Sequence, residues 1–220
     1  MDFFVDAMHK GGVFMWPILV CGIFSLAIVF ERAYYIMFRA NINGVAFMAQ
    51  VQKLVMANNI DRAIKLCNAE PNAALPRVLK AGLTRANRGK DEFEAAINET
   101  VLEVFPLLNK RSSYLPMLAN VATLTGLLGT IQGLILAFEA VAHASAETKQ
   151  TLLAGGISTA MYTTAAGLIV AIPVLVLHSI ISARTTKIMD EIDQFSLKTV
   201  NLLAARRSGA LKDESAPAGA

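Results

Sequence analysis

Three stretches of the chain run without an acidic or basic residue for long enough to cross a bilayer. The first extends from Gly11 to Phe30 and, past Glu31 and Arg32, stays apolar to Phe38. The second covers Ser112 to Phe138, and the third Thr151 to Ala183, with His178 as its one ionisable group. A hydrocarbon core needs about 20 predominantly apolar residues in a helix. Backbone polar groups in lipid must pair within their own segment, so each run predicts one transmembrane helix. None is long enough for two spans and a turn. A cleaved leader needs a basic start, a short apolar core and a small-residue cleavage site. Here Asp2 and Asp6 come first and no Ala-x-Ala ends the run, so it is expected to remain as a span.

The polar remainder reads as helix too. Val45, Met48, Val51 and Val55, then Ala63, Ile64 and Cys67, recur at helical spacing. Glu70-Pro71-Asn72 predicts a break. Leu75 to Ala86 predicts a short helix ended by Asn87-Arg88-Gly89. Asp91 with Glu94 has the form of a capping box, opening a helix with Phe93, Ile97, Val101 and Phe105 as its stripe. Pro106 is expected to kink or restart the chain before the second span. Arg184 to Arg207 alternates charge with Ile188, Ile192, Phe195 and Leu202, predicting an amphipathic helix continuous with the third span. These helices suit either a bundle that extends the second span and holds subunits together or a simple linker folded on itself.

Charge sets the direction. Lys10 alone precedes the first span, and Lys149 alone lies between the second and third; every other Lys and Arg falls in the central loop, at the helix ends beside it, or in the tail. The positive-inside rule then places the central loop and C-terminus in the cytoplasm. Trp16, near the outer end of the first span, suits the interfacial aromatic belt. The expected layout is an outward N-terminal segment (1–12), span one (13–38), a cytoplasmic helical region (39–111), span two (112–141), an outward loop (142–152), span three (153–183), a cytoplasmic helix (184–207) and a disordered tail (208–220). The fold class is an all-α integral membrane protein with three transmembrane helices and long cytoplasmic helical extensions.

Composition agrees: 55% of residues are hydrophobic and 17% charged, for a net charge of +3. Cys21 and Cys67 are too few for a disulfide scaffold or a paired-Cys zinc motif and are expected to be free thiols. His9, His143 and His178 lack metal spacing, so no metal and no cofactor is expected. Gly126-Leu127-Leu128-Gly129-Thr130 has no Walker lysine, and no nucleophile, base or metal set marks an enzyme. The basic residues are accounted for by topology, without nucleic acid.

Chemistry within the spans is neutral and polar. No Asp, Glu, Lys or Arg lies deep in spans two or three. A charge there costs at least about 2.5–3.5 kcal/mol, and those that persist are usually functional; this chain brings no carboxylate of its own to carry a proton. It does bring Thr123, Thr125, Thr130 and Gln132 in span two, and Ser158, Thr159, Thr163 and Thr164 in span three. Beside them run Gly126, Gly129, Gly133, Ala160, Ala165, Ala166 and Gly167, small residues that let helices approach while hydroxyls bond across. Such strips either line a narrow polar path, with Thr123, Thr130, Thr159, Thr163 and Thr164 as its candidates, or grip another helix. Pro173 is expected to bend span three or loosen one of its hydrogen bonds.

Two blocks carry a family resemblance: Leu124-Thr125-Gly126-Leu127-Leu128-Gly129-Thr130-Ile131-Gln132-Gly133 followed by Ala137-Phe138, and Gly156-Ile157-Ser158-Thr159-Ala160-Met161-Tyr162-Thr163-Thr164-Ala165-Ala166-Gly167-Leu168 followed by Ala171-Ile172-Pro173. They resemble the MotA/TolQ/ExbB family of ion-driven motor subunits, in the three-span ExbB/TolQ layout. The resemblance implies a pentamer in the bacterial inner membrane, its N-terminus periplasmic, around the single helices of two ExbD/TolR-like partner subunits, each bringing the membrane aspartate. It implies pore roles for Thr130 and Thr164. It also marks a departure: ExbB and TolQ usually carry a glutamate where Thr159 stands, which makes a relative such as a gliding motor a candidate. The expected function is a stator subunit using the proton motive force for uptake, envelope maintenance or gliding. The alternative is a structural scaffold whose Thr/Gly strips only pack helices.

Overall fold

A computed structural model describes residues 11–40, 42–86 and 88–214, with backbone alone beyond 202. Every regular element among them is helical: α1 (Met15–Tyr34), a π-helical segment (Tyr35–Ala40), α2 (Gly44–Met56), α3 (Ile60–Ala69), α4 (Ala74–Arg85), α5 (Lys90–Asn109), α6 (Tyr114–Ala142) and α7 (Lys149–Glu214). Three of the helical stretches are long and apolar enough to cross a membrane. The contacts divide the chain into two units, one of residues up to Arg32 with Arg111–Ile181, the other of Ala33–Lys110 with the chain from Ser182.

The first unit holds α1, α6 and the N-terminal part of α7. Its α6 seam is small inside and large outside. After Leu115, the buried face of α6 is Ala119, Ala122, Gly126, Gly129, Gly133 and Ala137, while Leu124, Ile131, Ile135, Phe138, Ile172 and Val176 are exposed. Lipid tails are as apolar as leucine, so burying large side chains gains little in a membrane, and close backbone approach through small ones gains more. Pro17 sits in the first turn of α1, where its missing N–H leaves no helical bond unmade. Pro173 lies inside α7, which passes through it unbroken.

One ionic knot closes this unit. Glu31 accepts from Arg32 at 2.9 Å and from Arg111 at 2.6 Å. Arg32 is buried at 4% exposure, at the end of α1. Arg111 has a φ of +62°, a backbone region that costs a non-glycine residue about 1–2 kcal/mol. Its ion pair to Glu31 accompanies that turn between α5 and α6.

The second unit packs as a soluble domain does, with large apolar side chains inside. Val51, Val55, Val78, Leu79, Leu83, Phe93, Leu108 and Ile192 are all fully or almost fully buried. Gly82 of α4 lies against Phe93 and Ile97 of α5, and Arg77–Glu103 (3.2 Å) and Arg85–Glu99 (3.1 Å) tie the same two helices. Gly44 of α2 lies against Glu191 and Phe195 of α7, and the Thr199 hydroxyl, which donates to the Phe195 carbonyl at 2.8 Å, stands 3.9 Å from the Met48 sulfur.

Several local expectations are revised here. The apolar positions from Val45 to Cys67 fall on two helices, α2 and α3. Asn58, at φ +60°, ends α2, with its N–H on the Val55 carbonyl (3.2 Å) and that of Asn59 on Leu54 (2.9 Å), a Schellman ending with Asn in the left-handed position. Val45 faces outward and Phe47 takes its place in the core. The α5 stripe is Phe93, Ala96, Ile97, Thr100, Val104 and Leu108, and Phe105 is half exposed. A strict four-residue repeat drifts about 40° per step around a 3.6-residue helix, so it leaves the buried face within three turns. Gly89, at φ +140°, caps α5 in place of Asp91, which falls in the first turn. Pro106 is carried inside α5; the break comes at Lys110, after Asn109. The last helix runs past Ser208, where a tail was expected, to Glu214, through good helix formers such as Ala204, Ala205, Leu211 and Lys212. Residues 215–220, Met1–Lys10 with His9, Asn41 and Asn87 lie outside the described residues.

Candidate functional site

Much of the polar chemistry of the spans lies along the seam between α6 and α7, while Gln132 is exposed. The contacts run antiparallel: Ala122 meets Gly167, Gly126 meets Thr163, Thr164 and Gly167, Gly129 meets Thr163, Gly133 meets Ala160, and Ala137 meets Gly156. The approach is at backbone distance. A Cβ on Gly167 would stand 2.7 Å from the Ala122 carbonyl oxygen, one on Gly126 2.9 Å from that of Thr163, and one on Gly129 2.8 Å from the Thr163 side chain. Gly126, Gly129, Gly133 and Gly167 are thus the packing group the sequence suggests, joined by Gly156.

The threonines separate by role. Thr163 is 1% exposed, seated on Gly129, and its hydroxyl donates to the Ala160 carbonyl at 2.8 Å. Its place is inside the seam. Thr164, five residues on from Thr159, donates across the seam to the Gly126 carbonyl at 3.2 Å. Thr130 donates back to Leu127 and Thr123 to Ala119 (3.0 Å). All four outer threonines, Thr123, Thr130, Thr159 and Thr164, are half-buried.

Helix geometry sorts them further. At about 100° per residue, Thr123 and Thr130 fall on one flank of the buried stripe of α6, and Thr159 and Thr164 lie about 140° apart on opposite flanks of α7. In two right-handed helices running antiparallel, the flank of Thr123 and Thr130 and the flank of Thr164 form one edge of the pair. The other edge carries Thr159 and Val170. There α1 packs: the γ-methyls of Val170 stand 3.4 and 3.5 Å from a Cβ position on Gly22. The seam therefore has a threonine edge and an opposite edge that α1 meets at Val170; Thr159 is on the same flank of α7 as Val170, eleven residues before it.

On the threonine edge the hydroxyl protons of Thr123, Thr130 and Thr164 are all directed to backbone carbonyls. Each hydroxyl oxygen keeps lone pairs as acceptors. In this arrangement the edge accepts hydrogen bonds and carries no charge. It can receive a protonated carboxyl or a water and offers nothing to an ionised carboxylate until a hydroxyl turns. Among the described residues no three His, Cys, Asp or Glu side chains gather as a metal site. The Glu31–Arg111 bridge, between residues far apart in sequence, was not legible in advance; the one signal was a Glu-Arg pair at the end of a span.

The chain matches the model of the MotA/TolQ/ExbB proton channel family over residues 70–194. It is 29% identical over 192 residues to the ExbB-like 1 biopolymer transport protein of Synechocystis, covering 84% of this chain and 73% of that one. To the biopolymer transport protein exbB1 of Vibrio cholerae it is 26% identical over 209 residues, 92% of this chain and 89% of that one. To the ExbB-like 3 biopolymer transport protein of Synechocystis it is 31% identical over 176 residues, 77% and 80% respectively.

Proposed function

Since the chain belongs to the MotA/TolQ/ExbB proton channel family, in its ExbB/TolQ branch, and is a multi-pass inner-membrane protein with three apolar helices, we propose that it is the ring-forming stator subunit of a proton-driven envelope motor, working with a single-span ExbD/TolR-like partner. The observation that carries this is the threonine edge: a charge-free strip in which Thr164 bridges to Gly126 while Thr123 and Thr130 align beside it.

The chemistry follows from what the edge can accept. A partner aspartate, once protonated, donates its proton as a hydrogen bond to Thr130 or Thr164 and moves along the strip as a neutral group. Ionised, it meets acceptors only and is held back. A proton crossing the full potential releases about 2.3 kcal/mol per 100 mV, enough to drive a helix past a low contact of Gly, Ala and Thr. Five subunits around two partner helices keep one contact always mismatched, so each neutralisation shifts the fit. Thr163 and the glycines keep the seam closed, and Thr159, where ExbB and TolQ usually carry a glutamate, lies on the flank of α7 opposite Thr164. In this arrangement the N-terminus is periplasmic and the C-terminus cytoplasmic.

Proteoliposomes holding this chain with its single-span partner test the proposal by proton flux under an imposed potential. Thr130→Val and Thr164→Val keep side-chain shape and remove one hydroxyl each. Flux is expected to fall about tenfold or more for each, a rise of at least ~1.4 kcal/mol in the barrier, with ring assembly unchanged. Full flux in both variants would overturn the pore assignment and leave a packing scaffold.

A further inference from the structure

The second unit holds a cleft of ≈ 240 Å³ lined by Ile36, Met37, Arg184, Lys187 and Ile188. Its floor is apolar: Ile36 is 1% exposed and Ile188 6%. Two cations stand over that floor. Arg184 is the first charged residue after the uncharged run from Thr151 to Ala183; the cleft thus sits where α7 leaves its membrane-spanning stretch. Ile36 and Met37 come at the end of the first apolar run, which reaches Phe38, and lie in the π-helical segment Tyr35–Ala40. A π turn is rare and concentrates at functional sites; here it supplies one wall. Tyr34 and Phe38, with ring centroids 5.5 Å apart and both largely exposed, place aromatic side chains at the same boundary.

The acidic group nearest the cations is already engaged. Glu191 approaches Lys187 only at 3.8 Å. Its carboxylate rests against Gly44, with Oε2 2.7 Å from the Cβ position there. Gly44 is the first residue of α2, where unpaired N–H groups favour a negative charge. Glu191 thus lies beside both Lys187 and the first residue of α2, and Arg184 makes no ion pair among the described residues.

An apolar floor, two cations above it and a position at the hydrocarbon boundary suit one ligand chemistry. We infer that this cleft binds the phosphate of an anionic membrane phospholipid, with Arg184 and Lys187 on the phosphate and Ile36, Met37 and Ile188 against the first methylenes. Arg184 supplies the directional fork and Lys187 a point charge. The expected effect of the lipid is on the stability of the subunit rather than on proton flux.

Native mass spectrometry of the intact assembly, with lipid titrated into detergent, reads the site directly. Phosphatidylglycerol is expected to be retained on each subunit and phosphatidylcholine not. Arg184→Gln with Lys187→Gln is expected to weaken phosphatidylglycerol roughly 30-fold, the effect of two juxtamembrane basic residues. Lys198→Gln, on the same helix beside Phe195, should leave it unchanged. Equal retention of both lipids, or unchanged affinity in the double variant, overturns the inference. So does competition by millimolar inorganic phosphate at full strength, which would mark a free-anion site. A double variant that alters subunit number while keeping its lipid also overturns it, because the cleft would then face a second copy of the chain.

Discussion

Replacing Gly167 by alanine tests whether the α6–α7 seam is held at backbone distance. The new Cβ would stand 2.7 Å from the Ala122 carbonyl oxygen, whereas carbon–oxygen contacts settle at about 3.3–3.6 Å. The opposing atom is backbone, so no rotamer can give way and the helices must part by more than half an ångström. A gap of 0.5–1 Å forfeits about a quarter to a half of each van der Waals well. The Thr164–Gly126 bond, already 3.2 Å long, would open with it. Overpacking of this kind costs about 1–3 kcal/mol. Against it stands the helix propensity of alanine over glycine, about 1 kcal/mol. Gly155 in the same helix supplies the control, since a Cβ there meets nothing within 4 Å. Thermal unfolding in detergent should therefore show opposite signs, Gly155→Ala raising the midpoint and Gly167→Ala lowering it by several degrees. If both variants rise by the same amount, the seam is not packed as described and the threonine edge loses its basis.

Thr163→Val should cost no more than about 1 kcal/mol, as an isosteric swap that removes one intrahelical bond, and leave proton flux intact, in contrast to Thr130→Val and Thr164→Val; a flux defect in Thr163→Val would move it from the seam to the path. Gly82→Ala puts a Cβ 2.8–2.9 Å from the Phe93 ring and Ile97, and a loss of about 1–3 kcal/mol is expected by chemical unfolding. Cys67 is buried at 2% exposure, and that burial pushes its thiol from an ordinary 9.0 up to about 11, with Lys80 opposing. Between these values the unfolded chain releases a proton that the native chain keeps, so stability falls as pH rises through the window; Cys67→Ala should flatten that slope, and maleimide at neutral pH should label Cys67 only when the unit opens. Glu31→Gln removes the charge that Arg32 and Arg111 share and should lower the unfolding midpoint, with a partial return in Arg111→Gly, which also relaxes the positive φ.

The helical class and the three spans were legible because uncharged length is a direct physical requirement of the bilayer. The small-residue strips were legible for the same reason: glycine at three- and four-residue spacing has little use in lipid except to let a helix come close. The division of the threonines was not. Thr159, Thr163 and Thr164 are near neighbours in sequence, yet one lies on the opposite flank from the threonine edge, one is sealed on Gly129 and one bridges to Gly126, and only the register of two helices decides which. The second unit shows the same limit at its turns. Nothing in the period of Val45 to Cys67 announces that Asn58 takes a left-handed turn. The cleft at Ile36 depends on a π turn that no apolar pattern signals.

The seam of glycines also constrains what mutation can explore. Every single-base change of a glycine codon that alters the residue adds a side chain, so a random library samples the seam only through insults of graded size. At Gly129 a second change can answer the first, because the neighbour is the Thr163 side chain and a smaller residue there restores room. At Gly167 and Gly126 the neighbours are a carbonyl oxygen and other backbone atoms, which no substitution can shrink. Those two positions should therefore yield no intragenic suppressors at the contact itself, while the exposed leucines and isoleucines of the same helices exchange freely.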